Sequence, residues 1–168
     1  MVLDTSAFLA GFDPFSINED QVTAPTVEDE IRANSMSWVR FKTAVENGKV
    51  KIKAPSEENW NKVKASAKKV GDMFFLSETD LQILALASEL KAEGRTPQIV
   101  TDDYSIQNVA TQLGIEFMSL ATFGISRLLK WIRYCPACHR KYPADYKSTT
   151  CDVCGTDLKR KSQRTNKK

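Results

Sequence analysis

The sequence predicts an α/β fold, a three-layer domain on a largely parallel central sheet, followed by a small zinc ribbon. Three observations carry this. Short apolar segments, Val2-Leu3 and Gln98-Ile99-Val100, alternate with longer stretches of helical period. The stretch Glu78 to Glu93 is apolar nearly all round (Leu81, Ile83, Leu84, Leu86, Ala87, Leu90), as a central helix packed on more than one side must be. All four cysteines fall between Cys135 and Cys154.

Taken in order, Val2-Leu3 reads as a strand, and Asp4-Thr5-Ser6 as a turn before a short helix over Ala7 to Ala10. Gly11 to Gln21 lacks any period and reads as a loop. Thr26-Val27-Glu28-Asp29 has a capping-box pattern that opens the next helix. Met36 to Asn47 carries a stripe of Met36, Val39 and Val45, with Trp38 and Phe41 beside it, and Asn47-Gly48 supplies the stop. Val50 and Ile52 alternate with lysines as a half-exposed strand would.

Ser56 to Val70 sets Trp60, Val63, Ala67 and Val70 on one face, and Lys62, Lys68 and Lys69 form a solvated one. Ile106 to Leu113 reads as a helix stopped by Gly114, and Ile115 to Met118 as a strand. Phe123 to Trp131 is a last helix or a linker, and beyond Leu158 there is almost nothing to bury, so a mobile tail is expected.

The formal net charge of +3 conceals an asymmetry. Residues 1–129 hold 13 bases and 18 acids, whereas residues 130–168 hold 11 bases and 3 acids. A segment at +8 attracts polyanions. The absence of a long apolar run and of a signal-peptide pattern leads to the expectation of a soluble, cytoplasmic protein that avoids membranes.

Cys135-Pro136-Ala137-Cys138 and Cys151-Asp152-Val153-Cys154 form two CxxC knuckles with 12 residues between them, the spacing of a zinc ribbon. A closed set of four thiolates leaves no open coordination position, so one structural zinc ion is expected there. A redox pair of CxxC motifs fits less well, because neither lies on a βαβ unit.

The single histidine, His139, lies inside this module, which excludes two-histidine acid–base cleavage and serine or cysteine nucleophiles that need a histidine partner. No GxxxxGK[ST] or GxGxxG pattern is present to cradle phosphate. Carboxylates remain. Asp4 and the pair Asp102-Asp103 each follow a short apolar strand, which in an open parallel sheet puts them at the carboxyl edge where ligands bind. Acids gathered there repel one another unless a cation intervenes, and Mg²⁺ or Mn²⁺ with oxygen ligands is nuclease chemistry. Position alone leaves the structural alternatives open: Asp4 as a helix cap, Asp80 as the fourth member of a capping box opened by Ser77, and Glu28, Asp29 and Glu30 as first-turn acids.

Taken together, Val2-Leu3-Asp4-Thr5-Ser6-Ala7-Phe8, Glu30-Ile31-Arg32, Ser77-Glu78-Thr79-Asp80-Leu81 and Val100-Thr101-Asp102-Asp103-Tyr104-Ser105-Ile106-Gln107-Asn108-Val109 resemble a PIN-domain ribonuclease. With the ribbon that follows, the chain resembles the Nob-type endonucleases of archaea and eukaryotes, which mature the 3′ end of small-subunit ribosomal RNA. Its compactness, without the long insertion of eukaryotic relatives, looks archaeal.

That resemblance implies a PIN-like domain over residues 1–125, the ribbon with its linker over 126–160 and a basic mobile tail over 161–168. It implies catalytic Mg²⁺ or Mn²⁺ bound by Asp4, Glu30, Asp80, Asp102 and Asp103, the choice within the last pair staying open. It implies hydrolysis leaving a 5′-phosphate and a 3′-hydroxyl, with precursor small-subunit rRNA and the pre-small ribosomal subunit as partners, beside other assembly factors. Arg133, Arg140, Lys141, Lys147, Lys159 and Arg160 are the expected phosphate contacts. Trp131, Tyr134, Tyr142 and Tyr146 either stack on nucleotides or form the ribbon's own core. Two rival readings are a toxin-like PIN ribonuclease acting on transfer or messenger RNA and a non-catalytic RNA-binding assembly factor.

Overall fold

The computed structural model describes residues 1–163, so residues 164–168 of the expected tail lie outside the described part. The first domain is an open sheet of five parallel strands, β1 (Val2–Leu3), β2 (Gln21–Thr23), β3 (Val50–Ile52), β4 (Gln98–Val100) and β5 (Glu116–Met118), in the order β3-β2-β1-β4-β5. Six helices connect it: α1 (Thr5–Leu9), α2 (Pro25–Ile31), α3 (Ser35–Glu46), α4 (Glu57–Val70), α5 (Glu78–Ala92) and α6 (Tyr104–Leu113). The chain winds outward from β1 to β3, then crosses back through α4 and α5 to lay β4 on the other side of β1. The reversal of strand order falls between β1 and β4, and in such sheets the crevice outside the carboxyl ends at that point receives the ligand.

Burial explains the connection. Leu81, Ile83, Leu84, Leu86, Ala87 and Leu90 of α5 are all buried, and Val63, Ala67 and Val70 of α4 pack into the same core as β1 and β4. Ser56 and Ser77 cap these helices through their side chains, and Gly71 ends α4 in the left-handed conformation.

Three elements of the first domain depart from the sequence expectation. Gln21–Thr23 is a strand, not the end of a loop; its buried polar side chains are anchored by Gln21 Nε2 donating to Pro14 O (2.8 Å) and Thr23 Oγ1 donating to Leu3 O (2.6 Å), while Gln21 Oε1 has no partner. In α2 the cap is Ala24 with Pro25 in the first turn, so Thr26 does not open a capping box. In α3 part of the expected stripe faces outward, with Met36 72% and Val39 62% exposed, while Ser37, Phe41 and Ala44 are buried and Val45 and Trp38 pack against the core.

The second unit is a three-stranded antiparallel sheet, β7-β6-β8, made of β6 (Lys130–Tyr134), β7 (Lys141–Tyr142) and β8 (Lys159–Gln163). Phe123 to Leu129 is an irregular linker and not a helix. The tail was expected to be mobile from just past Leu158, yet Lys159 to Gln163 pairs residue for residue with Lys130 to Tyr134. A backbone ladder satisfies a strand with little to bury when its partner strand is already fixed. Among the described residues, no helix is long and apolar enough to cross a membrane.

Candidate active site and cysteine centre

The acids expected at the carboxyl edge do gather there. Backbone pairing sets Leu3 beside Val100, and Asp4 N donates to Val100 O at 3.2 Å, so Asp4 and Thr101-Asp102-Asp103 leave adjacent strands side by side. Asp4 is only 4% exposed and has the extended backbone of a helix cap, but its carboxylate does not cap α1. Instead Oδ2 accepts from Ser6 Oγ (2.7 Å) and Thr101 Oγ1 (2.9 Å). Burial pushes this carboxyl above its ordinary range, and the two hydroxyls partly offset that.

Asp80 does close the capping box with Ser77: Asp80 Oδ2 accepts from Ser77 N at 2.7 Å, and Asp80 N donates to Ser77 Oγ at 3.2 Å. That local role coexists with another. Burial, and then the charges of Asp4 and Asp103, push Asp80 up to about 6 against the pull of its hydrogen bonds from Ser77. A structural cap does not need company of like charge, and here the charges of Asp4 and Asp103 both act on Asp80.

The Asp102-Asp103 pair separates into two tasks. Asp102 turns to the loop after β5, where Oδ1 accepts from the backbone N–H groups of Leu120, Ala121 and Thr122 and from Thr122 Oγ1 at 2.9–3.1 Å. Its partial burial opposes ionisation, but the hydrogen bonds from Thr122, Ala121 and Leu120 win and hold it below the usual carboxylate range. Asp103 caps α6, its Oδ1 accepting from Ser105 N and Ile106 N, and it is the member whose charge reaches Asp80. Glu30 lies exposed at the end of α2 and accepts a hydrogen bond from Thr5 Oγ1, which brings it to the rim beside Asp4.

Sequence reasoning missed the hydroxyls that hold these acids. Ser6 Oγ accepts from Asp102 N (3.0 Å) and Thr101 Oγ1 from Asp103 N (3.1 Å), so each hydroxyl that donates to Asp4 also fixes the backbone of the acidic pair. Their adjacency to the acids in sequence was the available signal.

In the second unit the four thiols converge. Their sulfurs all lie within 4.8 Å of one another, with Cys135 to Cys154 at 3.4 Å and Cys138 to Cys151 at 3.5 Å. A tetrahedron of sulfurs each about 2.3 Å from an ion has edges of about 3.8 Å, so the set fits zinc. The Tyr142 hydroxyl, 3.0 Å from Cys151 Sγ, lowers that thiol to about 6 and favours the thiolate that a metal requires. Tyr142 is buried against Tyr146, with ring centroids 4.5 Å apart, while Lys161 lies over Tyr134 and Arg160 over Trp131. Tyr142 and Tyr146 thus take the packing alternative in the ribbon's own core, whereas Trp131 and Tyr134 stay partly exposed under cations.

Arg160 departs from the expected role as a phosphate contact. Its guanidinium pairs with Asp72, a 1%-exposed residue just past α4, and lies 3.8 Å from the ring centroids of both Phe75 and Trp131. Asp72 also accepts from Asn108 Nδ2, and Asn108 exchanges two hydrogen bonds with the backbone of Leu129. Gly71 completes the contact: a Cβ there would sit 2.7 Å from Ala144 Cβ. The ribbon is therefore docked on the first domain close to Asp103, whose charge acts on Asp72.

Comparison with known proteins agrees with this geometry. The family model described as the PIN domain of ribonuclease matches residues 1–90. Endoribonuclease Nob1 of Methanothermobacter thermautotrophicus is 37% identical over 163 residues, covering 97% of this chain and 93% of its own length. The protein of the same name from Pyrococcus abyssi is 39% identical over 159 residues, 95% of this chain and 91% of its own. The chain belongs to the Nob1 family of PIN-domain endoribonucleases. Ribonuclease VapC1 of Thermoplasma acidophilum is also similar, at 34% over 160 residues. Membership in the Nob1 family makes the chain an endoribonuclease, and the four-cysteine cluster fits the zinc ribbon after its PIN domain.

If the cysteine cluster holds zinc, chelation should unfold the ribbon and leave the PIN domain's helices in place. Circular dichroism with a stoichiometric zinc assay is the check; a ribbon that survives complete zinc loss would remove the metal from the account.

Proposed function

We propose that this endoribonuclease cuts precursor small-subunit rRNA at its 3′ end, using Mg²⁺ or Mn²⁺ at the acid cluster and the zinc ribbon to hold the RNA. The observation that supports the reading is that Asp4 and the Asp102-Asp103 pair leave adjacent strands side by side at the carboxyl edge, with the charges of Asp4 and Asp103 acting on Asp80 and a strongly basic module docked on the same domain. In this reading Asp4, Asp80 and Asp103 hold the cation and Glu30 serves from the rim, while Asp102 positions the 120–122 loop. A divalent ion held there would supply a water activated for attack on phosphorus and a counter-charge for the leaving oxygen, and the products would carry a 5′-phosphate and a 3′-hydroxyl.

The chain's own residues do the rest. Ser6 and Thr101 fix the Asp4 carboxylate before any substrate arrives, which spares reorganisation at the moment of reaction. The amides of α6 fix Asp103, and Ser77 fixes Asp80. Arg133, Arg140, Lys141, Lys147 and Lys159 line the ribbon as phosphate contacts; Arg160, held by Asp72, is not among them. Arg140 lies 3.9 Å from Asp152, an exposed pair that phosphate readily replaces. The proposed partner is the pre-small ribosomal subunit, met in the cytoplasm.

Five phosphate contacts predict that log K for RNA falls against log salt with a slope of about −4. Titrating a labelled precursor fragment at several salt concentrations measures it, and a flat dependence would contradict the basic-ribbon reading. Competition between rRNA precursor and tRNA in the same tubes tests the reading against a toxin-like activity, which the likeness to VapC1 keeps in view.

A further inference from the structure

Between Asp72 and the capping box at Ser77, the chain exposes two consecutive aromatic rings: Phe74 is 62% and Phe75 52% exposed. Two adjacent exposed phenylalanines are a cost unless something covers them. Three observations identify the occupant. First, the rings are flanked by cations, with the Arg133 guanidinium 5.8 Å from the Phe74 centroid and Arg160 against Phe75. Second, the loop joins Asp72, which feels the charge of Asp103, to Asp80, so it borders the acid cluster directly. Third, a cleft of ≈ 260 Å³ opens between this loop and the ribbon, lined in part by Phe75, Trp131, Arg133 and Thr149; Phe74 lies outside it, joined to it through Arg133, which lines the cleft and faces the Phe74 ring.

An aromatic face next to a guanidinium is what an unpaired nucleotide recognises: the base stacks and the phosphate pairs. Arg133 is pre-set for the second part. Its NH1 donates to Ser148 O at 3.1 Å, which fixes the arm and leaves the other guanidinium N–H groups for an anion. Resting on the functional reading above, we propose that the Phe74–Phe75 loop and Arg133 form a subsite for one unpaired nucleotide of the RNA substrate, between the cutting edge and the ribbon. The base lies on Phe74 and the neighbouring phosphate on Arg133. The subsite requires the cut to lie in a single-stranded stretch, because a paired base offers no free face.

The experiment uses the full zinc-loaded chain and precursor RNA fragments in which each nucleotide near the cut is replaced in turn by an abasic one. Dissociation constants are measured without divalent ion, for the parent and for Phe74→Leu, which keeps an apolar side chain at an exposed position. One abasic position should weaken the parent's binding by about tenfold or more, the size of a lost base–aromatic stack. Phe74→Leu should weaken binding to intact RNA by a similar factor and be indifferent to that same abasic position. Equal binding by parent and variant would overturn the subsite, as would an abasic penalty that persists in Phe74→Leu. A change in sedimentation mass without a change in RNA binding would assign the surface to a second copy of the chain and also overturn it. Cleavage in Mn²⁺ is scored in parallel: a parent that fails to cut defeats the functional reading, whereas a parent that cuts without the abasic coupling defeats the subsite alone.

Discussion

Asp4→Asn is expected to lower the cleavage rate by roughly 10²- to 10³-fold, the effect of removing one preorganised charged group from a reacting centre. The same substitution should leave the fold at least as stable as the parent. Asp4 is buried with its pKa raised, so its stabilising contribution is complete only below the ordinary aspartate range and is lost as pH rises through the folded value. Above the folded value the ionised carboxylate therefore costs stability, and the neutral amide, still able to accept from Ser6 and Thr101, removes that cost. Activity down with melting temperature unchanged or higher is the signature of a residue kept for chemistry. Thermal melts without divalent ion, beside cleavage assays with it, read both quantities; a variant that cuts as fast as the parent would take Asp4 out of the active site.

Arg160→Met should loosen the ribbon from the PIN domain by roughly 3 kcal/mol, because Asp72 is left as a buried acid without its counter-charge. Two cation–π contacts vanish with it. Replacing both partners, as Asp72→Asn with Arg160→Met, should recover much of the loss, since neither a stranded charge nor an empty volume then remains. Hydrogen exchange at the β6 and β8 amides reports docking directly. If the single variant exchanges as slowly as the parent, the pair is a bystander to docking.

Where apolar patterning and burial coincide, the sequence could be read. The strands β1 and β4, the helix α5 and the two knuckles are of this kind, and the acids that follow β1 and β4 came with them. Elements whose backbone is held by polar side chains or by a ladder were not legible. Gln21–Thr23 contains one aliphatic residue, and Lys159–Gln163 contains none, so no hydrophobic period announces either strand. In α3, Ser37 takes a buried position because its hydroxyl donates to Phe8 O at 3.2 Å, and Met36 and Val39, which pattern alone places inward, face out. The choice between Asp102 and Asp103 needs the loop at 120–122, which arrives from 18 to 20 residues away. Arg160 has the composition of a phosphate ligand and the environment of an ion-pair partner; only the second is decided by the fold.

The site of the cut is the most direct test of the proposed function. A precursor small-subunit RNA fragment spanning the mature 3′ end is incubated with the protein and Mn²⁺ or Mg²⁺, and the product ends are mapped to the nucleotide. A single metal-dependent cut at that end, with a 5′-phosphate on the downstream piece, is the predicted result. Salt-sensitive binding with no cut in either metal, or cutting spread equally over unrelated RNAs, would contradict it.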